Sequence, residues 1–288
     1  MKSQRWQSAV MVFSASQDGD QLPPARYISV DRVIGQMAEF GRSRIEVLSA
    51  GRVLALGLMA GGFITTGALF SVLLSVGFES PGAVALVTGF GFSTGFFFVV
   101  LSEAALFTEA NVVMPATLLA GTTRARRVIR FWVLAWIGNF LGAVIVGWLI
   151  RTGEVYSAGF EAGLAELVSH KMRFQEEGGV DSWFRVVLSG VLANWLVGMA
   201  AFFATMGRTI IGKYIPVFLA VTMFVAAGFQ HSPANMGYFA ISIAGGGGPG
   251  WSDALAWNVI PAGIGNMIGG TLLVAVPFWW IFKHSRDA

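Results

Sequence analysis

The sequence predicts an all-α polytopic membrane protein made of two inverted three-helix repeats, with the second and fifth membrane helices broken. Three observations carry this expectation. First, the 288 residues are 55% hydrophobic and 12% charged, against about 25% charged in soluble domains. A water-facing surface cannot be made from that composition, and the mean hydropathy of +0.67 agrees. Second, the ranges 53–78, 131–150, 186–207, 214–252 and 254–282 hold no Lys, Arg, Asp or Glu, and 80–123 is interrupted only by Glu103 and Glu109. Each is long enough for a bilayer, which takes about 20 residues. Third, the pattern recurs: six of nineteen positions match between Arg52–Phe70 and Arg185–Phe203, and Ile137, Gly138, Asn139 and Gly142 return as Ile264, Gly265, Asn266 and Gly269. A tandem unit of three spans must alternate its orientation, because three is odd.

Taken in order, residues 1–28 are polar, with paired prolines at 23 and 24, and read as a loosely ordered tail without the apolar core of a cleaved leader. Residues 29–50 read as an amphipathic helix with Ile34, Met37, Ala38 and Ile45 on one side. The transport domain then covers 29–284, with repeats at 51–153 and 181–283. As one straight helix the second span, 82–119, would extend ~57 Å and the fifth, 214–244, ~46 Å, against a hydrocarbon core of ~30 Å. Both are too short for two spans and a turn. A break lining an internal cavity resolves the mismatch, and polar clusters mark it at 102–111 and 231–235. Residues 157–174 carry apolar residues at helical spacing and read as an interfacial amphipathic helix. The run from Gly245 to Gly250 lacks the Lys-Ser/Thr of a phosphate loop and reads as a turn.

Charge sets the orientation. Of 19 Lys and Arg, fifteen lie in loops on one side, whereas Arg151, Lys171, Arg173 and Arg185 share the other with eight acids. The positive-inside rule puts both termini in the cytoplasm. The basic residues flank membrane segments, including the cluster 124–130 beside lipid headgroups, so the pI near 9.5 is no signature of nucleic-acid binding. With no cysteine and three histidines, thiolate chemistry is excluded, and no HExxH or GxSxG motif suggests an enzyme. No cofactor or metal is implied.

Four segments then read together: FSTGFFFVVLSEAALFTEAN (92–111), GVLANWLVGMAAFF (190–203), MFVAAGFQHSPAN (223–235) and IGNMIGG (264–270). In that order they resemble the formate/nitrite transporter family over nearly the whole chain. The resemblance implies an aquaporin-like six-helix bundle in a bacterial inner membrane, assembled as a homopentamer with one pore per protomer, for small monovalent weak-acid anions. It matches Leu106, Phe107 and Thr108 to the loop interrupting the second helix, and His231 to a central histidine at the break of the fifth. Phe92, Val197 and Phe224 match apolar constrictions, and Asn194 and Asn266 match polar residues near the histidine. A bare anion loses costly hydration in such a constriction, and an imidazole beside it supplies a proton or a hydrogen-bond donor.

Two departures stand out. Ala105 occupies a position usually acidic in the family, while Glu109 lies beside Thr108. Gly178 occupies a position often basic in the outer vestibule, for which Lys171, Arg173 or Arg185 are the available substitutes. An ionised Glu109 in the pathway would oppose an anion; just past the interruption it is equally placed to cap the free N–H groups of the second half-helix. These departures keep two alternatives open: a pore for a small neutral solute, and a closed-pore sensor or scaffold.

Overall fold

The computed structural model describes residues 27–282, and among these residues there are helices and no strands. They are α1 (Val30–Val47), α2 (Ala50–Ser75), α3 (Pro81–Ser102), α4 (Phe107–Leu119), α5 (Ala125–Gly153), α6 (Ala158–Glu177), α7 (Gly179–Met206), α8 (Ile210–Ala226), α9 (Ser232–Ala244) and α10 (Trp251–Phe282). Helices α2, α3, α5, α7 and α10 are each long and apolar enough to span a membrane. The remaining crossing is shared by α8 and α9, neither of which reaches that length. Six crossings result. The expected tail lies outside the described residues up to residue 26, as does the end of the chain beyond 282. Tyr27 and Ile28 are tied to the end of α7, where the Ile28 N–H donates to Met206 O at 2.8 Å.

Helix starts follow local chemistry. Ser49, Ser157 and Thr209 cap α2, α6 and α8 by accepting from Arg52 N, Phe160 N and Gly212 N, and Pro81 opens α3, where its missing N–H costs nothing. The glycine run after α9 turns the chain, with Gly246 and Gly248 at φ +81° and +72°.

Packing explains the recurring IGN-x-x-G motif. A Cβ on Gly138 would stand 2.8 Å from the Cα of Gly57, and one on Gly265 would stand 3.0 Å from the Cα of Gly190. So α5 lies on α2 and α10 on α7 backbone to backbone, the close approach that small residues permit between helices lacking a hydrophobic drive to associate. The same contact is made once in each repeat.

The amphipathic helix α1 forms as expected but with a shifted stripe. Its buried residues are Val33, Ile34, Met37, Ala38, Gly41 and Arg44. The period of 3.6 residues carries the inner face from Gly41 to Arg44, so Ile45, expected there, is only half-buried. Helix α6 covers the opposite end of the bundle, burying Phe160, Leu164, Val168, Lys171, Met172 and Phe174.

Candidate functional site

The two breaks are built alike, at an offset of 125 residues. Helix α3 ends with Glu103 at φ +53° and α8 is followed by Gly228 at φ +69°, both left-handed. In each case the next N–H reaches five residues back: Ala104 N to Val99 O and Phe229 N to Phe224 O, both at 3.2 Å. This is a Schellman closure, for which glycine is the usual residue. Glu103 takes the same conformation without glycine's freedom, at a cost of about 1–2 kcal/mol. Leu106 and His231 then occupy equivalent positions as N-cap residues of α4 and α9. The interruption in the second crossing is therefore 103–106, and Phe107 and Thr108, expected within the loop, already open the half-helix.

Two asparagines hold the breaks from neighbouring helices. Asn139 of α5 donates to Gly57 O and Ala105 O and accepts from Phe107 N, all at 2.9 Å. Asn266 of α10 donates to Gly190 O at 2.8 Å and Gln230 O at 3.0 Å and accepts from Ser232 N at 2.9 Å. Each amide thus joins a neighbouring helix to both sides of a break. Asn266, expected beside the histidine as a lining residue, has both polar atoms engaged with backbone.

The half-helices meet N-terminus to N-terminus, each end equivalent to roughly half a positive charge. His231 Nδ1 accepts from Ala234 N at 3.2 Å, which places the ring proton on Nε2. That nitrogen lies 2.8 Å from Thr108 Oγ1, so the imidazole donates and the threonine hydroxyl keeps its own proton to offer. Asn194 Nδ2 donates to Thr108 O at 3.2 Å and to Asn266 O at 2.6 Å, leaving its Oδ1 without a partner among the described residues. His231, Thr108, Asn194, Val197 and Phe92 are fully buried. The Phe224 ring packs 5.1 Å from the imidazole and 5.8 Å, edge to face, from Phe92.

A cavity approaches this buried centre from each end. On the α6 side, about 590 Å³ is lined by Lys171, His170, Glu166, Phe224 and Tyr238 among others. On the α1 side, about 280 Å³ is lined by Glu103, Glu109, Lys213 and Gln36, with Val100 and Ala204. A smaller space of about 10 Å³ beside it touches Leu106, Glu109 and Arg44. Glu109 is the third residue of α4, and it is not one of the salt-bridged acids among the described residues, which are Glu39, Glu46, Glu161 and Glu177.

Of the three basic residues that sequence spacing leaves open, Lys171 is the one lining the α6-side cavity. It is 7% exposed, and its Nζ donates to Phe229 O at 2.9 Å, two residues before His231. Arg185 instead pairs with Glu177 at 3.2 Å, and the Arg173 guanidinium stacks on Phe174 at 4.2 Å. A buried amide network missed in the sequence lies behind Lys171: Asn235 Nδ2 donates to Gln230 Oε1 and Asn258 Oδ1, and Asn258 Nδ2 donates to Lys171 O. Asn258 sits in a π-helical turn, Leu255–Val259. A second asparagine besides Asn266 inside the apolar sixth span was the signal available.

The comparisons with known proteins agree with this geometry. A family model described as formate/nitrite transporter matches residues 31–280. A probable formate transporter of Methanothermobacter thermautotrophicus is 32% identical over 245 residues, covering 81% of this chain and 89% of that protein. The formate channel FocA of Escherichia coli is 31% identical over 257 residues, covering 81% and 87%. Among solved structures, a pentameric formate channel with formate bound superposes with a TM-score of 0.68 at 22% identity, covering 81% of this chain and 98% of that one. An FNT family ion channel gives 0.74 at 21% identity, covering 88% and 98%. Those two likenesses establish the aquaporin-like fold of six crossings in two inverted repeats. With its breaks, its half-helices and 250 consecutive residues matched, this integral membrane chain belongs to the formate/nitrite transporter family.

Proposed function

We propose that the chain conducts small monovalent weak-acid anions, such as formate or nitrite, through a pore in each protomer of a homopentamer. In this reading 51–153 and 181–283 are the inverted repeats, the α1 face is cytoplasmic, and the membrane is a bacterial inner membrane. The observation that carries it is the His231–Thr108 pair at the junction of two helix N-termini, between two cavities. Fixed donors in a low-dielectric site favour an anion far more than they would in water. Apolar neighbours Phe92, Phe224, Val197, Leu106 and Phe107 strip the hydration shell and favour species that shed charge. Because Nδ1 is engaged as an acceptor, His231 acts as a neutral donor through Nε2. Asn266 and Asn139 are positioning residues, and Asn194 steadies the Thr108 backbone.

Formate, nitrite and hydrosulfide should each produce a flux with a pH signal in proteoliposomes, while urea produces no swelling. Stopped-flow swelling with an internal pH-sensitive dye measures both. Urea flux without anion flux would replace this reading with a neutral-solute pore; silence for every solute would favour a sensor or scaffold.

The outer cavity adds a pH dependence of its own. Burial, assisted by the charge of Arg173, pushes the Lys171 ammonium down to about 7. Its positive charge is present below that pH and lost above it, so attraction of anions into the α6-side cavity falls as pH rises through neutrality. The folded value lies below the unfolded one, so the buried charge penalises folding at low pH and the penalty fades between about pH 7 and about pH 10. Lys171→Met is expected to raise the half-saturating formate concentration about fivefold near pH 6 and little near pH 8.5. Initial-rate titrations at the two pH values check this.

A further inference from the structure

Arg44 is out of place in the α1 stripe. It is 8% exposed, and its Nε and Nη2 have no hydrogen-bond partner among the described residues. A guanidinium buried in that way normally has a carboxylate on it, since leaving charged donors unsatisfied is among the costlier arrangements in a protein. The plane is instead held by two aromatic rings: Phe40 at 5.1 Å and Phe131 at 5.5 Å from the central carbon. Nε and Nη2 are the pair that forms the side-on fork for a planar oxyanion. That fork is free, and its ring supports fix the guanidinium.

What the fork adjoins is the inner side of the constriction. Arg44, Leu106 and Glu109 line the same space of about 10 Å³, roughly one water in size. That space shares Phe40, Glu109 and Val113 with the 280 Å³ cavity, through which a ligand would arrive. Glu109 and Arg44 act on each other electrostatically yet make no salt bridge. The other charges acting on Glu109 are Glu103, at the end of α3, and Lys213 of α8. Arg44 also lines a second cavity, of about 310 Å³, with Glu46 of its own helix and Arg127 and Arg130 of α5.

We propose that Arg44 and Glu109 form a loading site at the α1-side mouth that takes a small planar oxyanion together with a proton. The anion sits on the Arg44 fork opposite a protonated Glu109, the one-water space between them widening into the 280 Å³ cavity as it enters. The Glu109 O–H bond breaks as an O–H bond forms on the anion, giving the neutral acid and a Glu109 carboxylate. Net charge is zero before and after: guanidinium and anion become guanidinium and carboxylate, which then attract one another as the neutral acid moves past Leu106. A proton from bulk water resets Glu109. The acid that would repel an anion in the pathway thus becomes the group that neutralises it. This inference rests on the anion-pore reading above.

The test uses the full chain in proteoliposomes with formate, from about pH 5.5 to about pH 8. Arg44→Lys keeps the charge but loses the fork, and is expected to raise half-saturation about tenfold with maximal flux nearly unchanged. Glu109→Gln is expected to lower flux about tenfold at the acidic end and to flatten the pH profile. Half-saturation and pH profile unchanged in both variants, with a conducting wild type, overturn the loading site and leave the pore reading intact. A silent wild type sinks the pore reading instead, and this inference with it. An Arg44→Lys effect seen only with anionic lipid would assign Arg44 to a headgroup shared with Arg127 and Arg130, and overturn the proposal.

Discussion

Substituting His231 with asparagine is expected to leave the protein folded while lowering formate flux about ten- to hundredfold. The two ring nitrogens have separate tasks, and the substitution separates them. Nδ1 caps α9 through Ala234 N, a role asparagine performs as well as any residue. Nε2 reaches Thr108 Oγ1 across the junction, which the shorter asparagine cannot do. Alanine at 231 loses both contacts and should add about 1 kcal/mol of destabilisation to a similar flux defect. Thr108→Val removes the same bond from the other side, so the double variant should be little worse than either single one, the mark of residues acting as a pair. Initial rates in proteoliposomes and thermal unfolding of the detergent-solubilised protein measure the two effects independently. Wild-type flux in the asparagine variant would reduce His231 to a helix cap.

Whatever was periodic or overlong could be read from the sequence; whatever depended on one helix reaching across to another could not. The excess length of 82–119 and 214–244 announced two breaks, and the polar clusters located them. The start of α4 falls two residues before the expected one because its first N–H is capped from outside: Asn139 lies 32 positions away, and no Ser, Thr, Asp or Asn stands at the N-cap position, Leu106. Lys171 could not be chosen over Arg173 or Arg185 because a lysine's reach depends on how α6 folds back over the bundle. That turn is made at Gly178 and Gly179, φ +69° and +78°, just where spacing along the chain stops reporting distance. Arg44 was hidden by its neighbour. An apolar stripe is expected to end on Ile45, and only the completed packing of α1 against α4 shows the arginine inside.

Replacing Asn266 with leucine, or Asn139 with leucine, is expected to cost at least about 2 kcal/mol each, because two buried backbone groups of the break, Gln230 O and Ser232 N or Ala105 O and Phe107 N, then lose their partners at about 1–3 kcal/mol apiece. Against a total stability of about 5–15 kcal/mol for a typical domain, either variant should lose a large part of its thermal stability. The comparison between them is the informative part. Asn139 adjoins the break ending in Leu106, and Asn266 the one ending in His231, and their bonds correspond one for one. If both amides serve only to hold breaks, the two variants should unfold at similarly lowered temperatures, measured in detergent by scanning fluorimetry. Aspartate at 266 should fall between, since it still accepts from Ser232 N but cannot donate to Gly190 O or Gln230 O. A drop in flux at 266 with wild-type stability would instead mean that its amide contacts the permeant. That result would break the equivalence of the two halves. The equivalence matters because the N-terminal ends of α4 and α9 face each other only while both clamps hold, and the donor pair of His231 and Thr108 exists only at that meeting point.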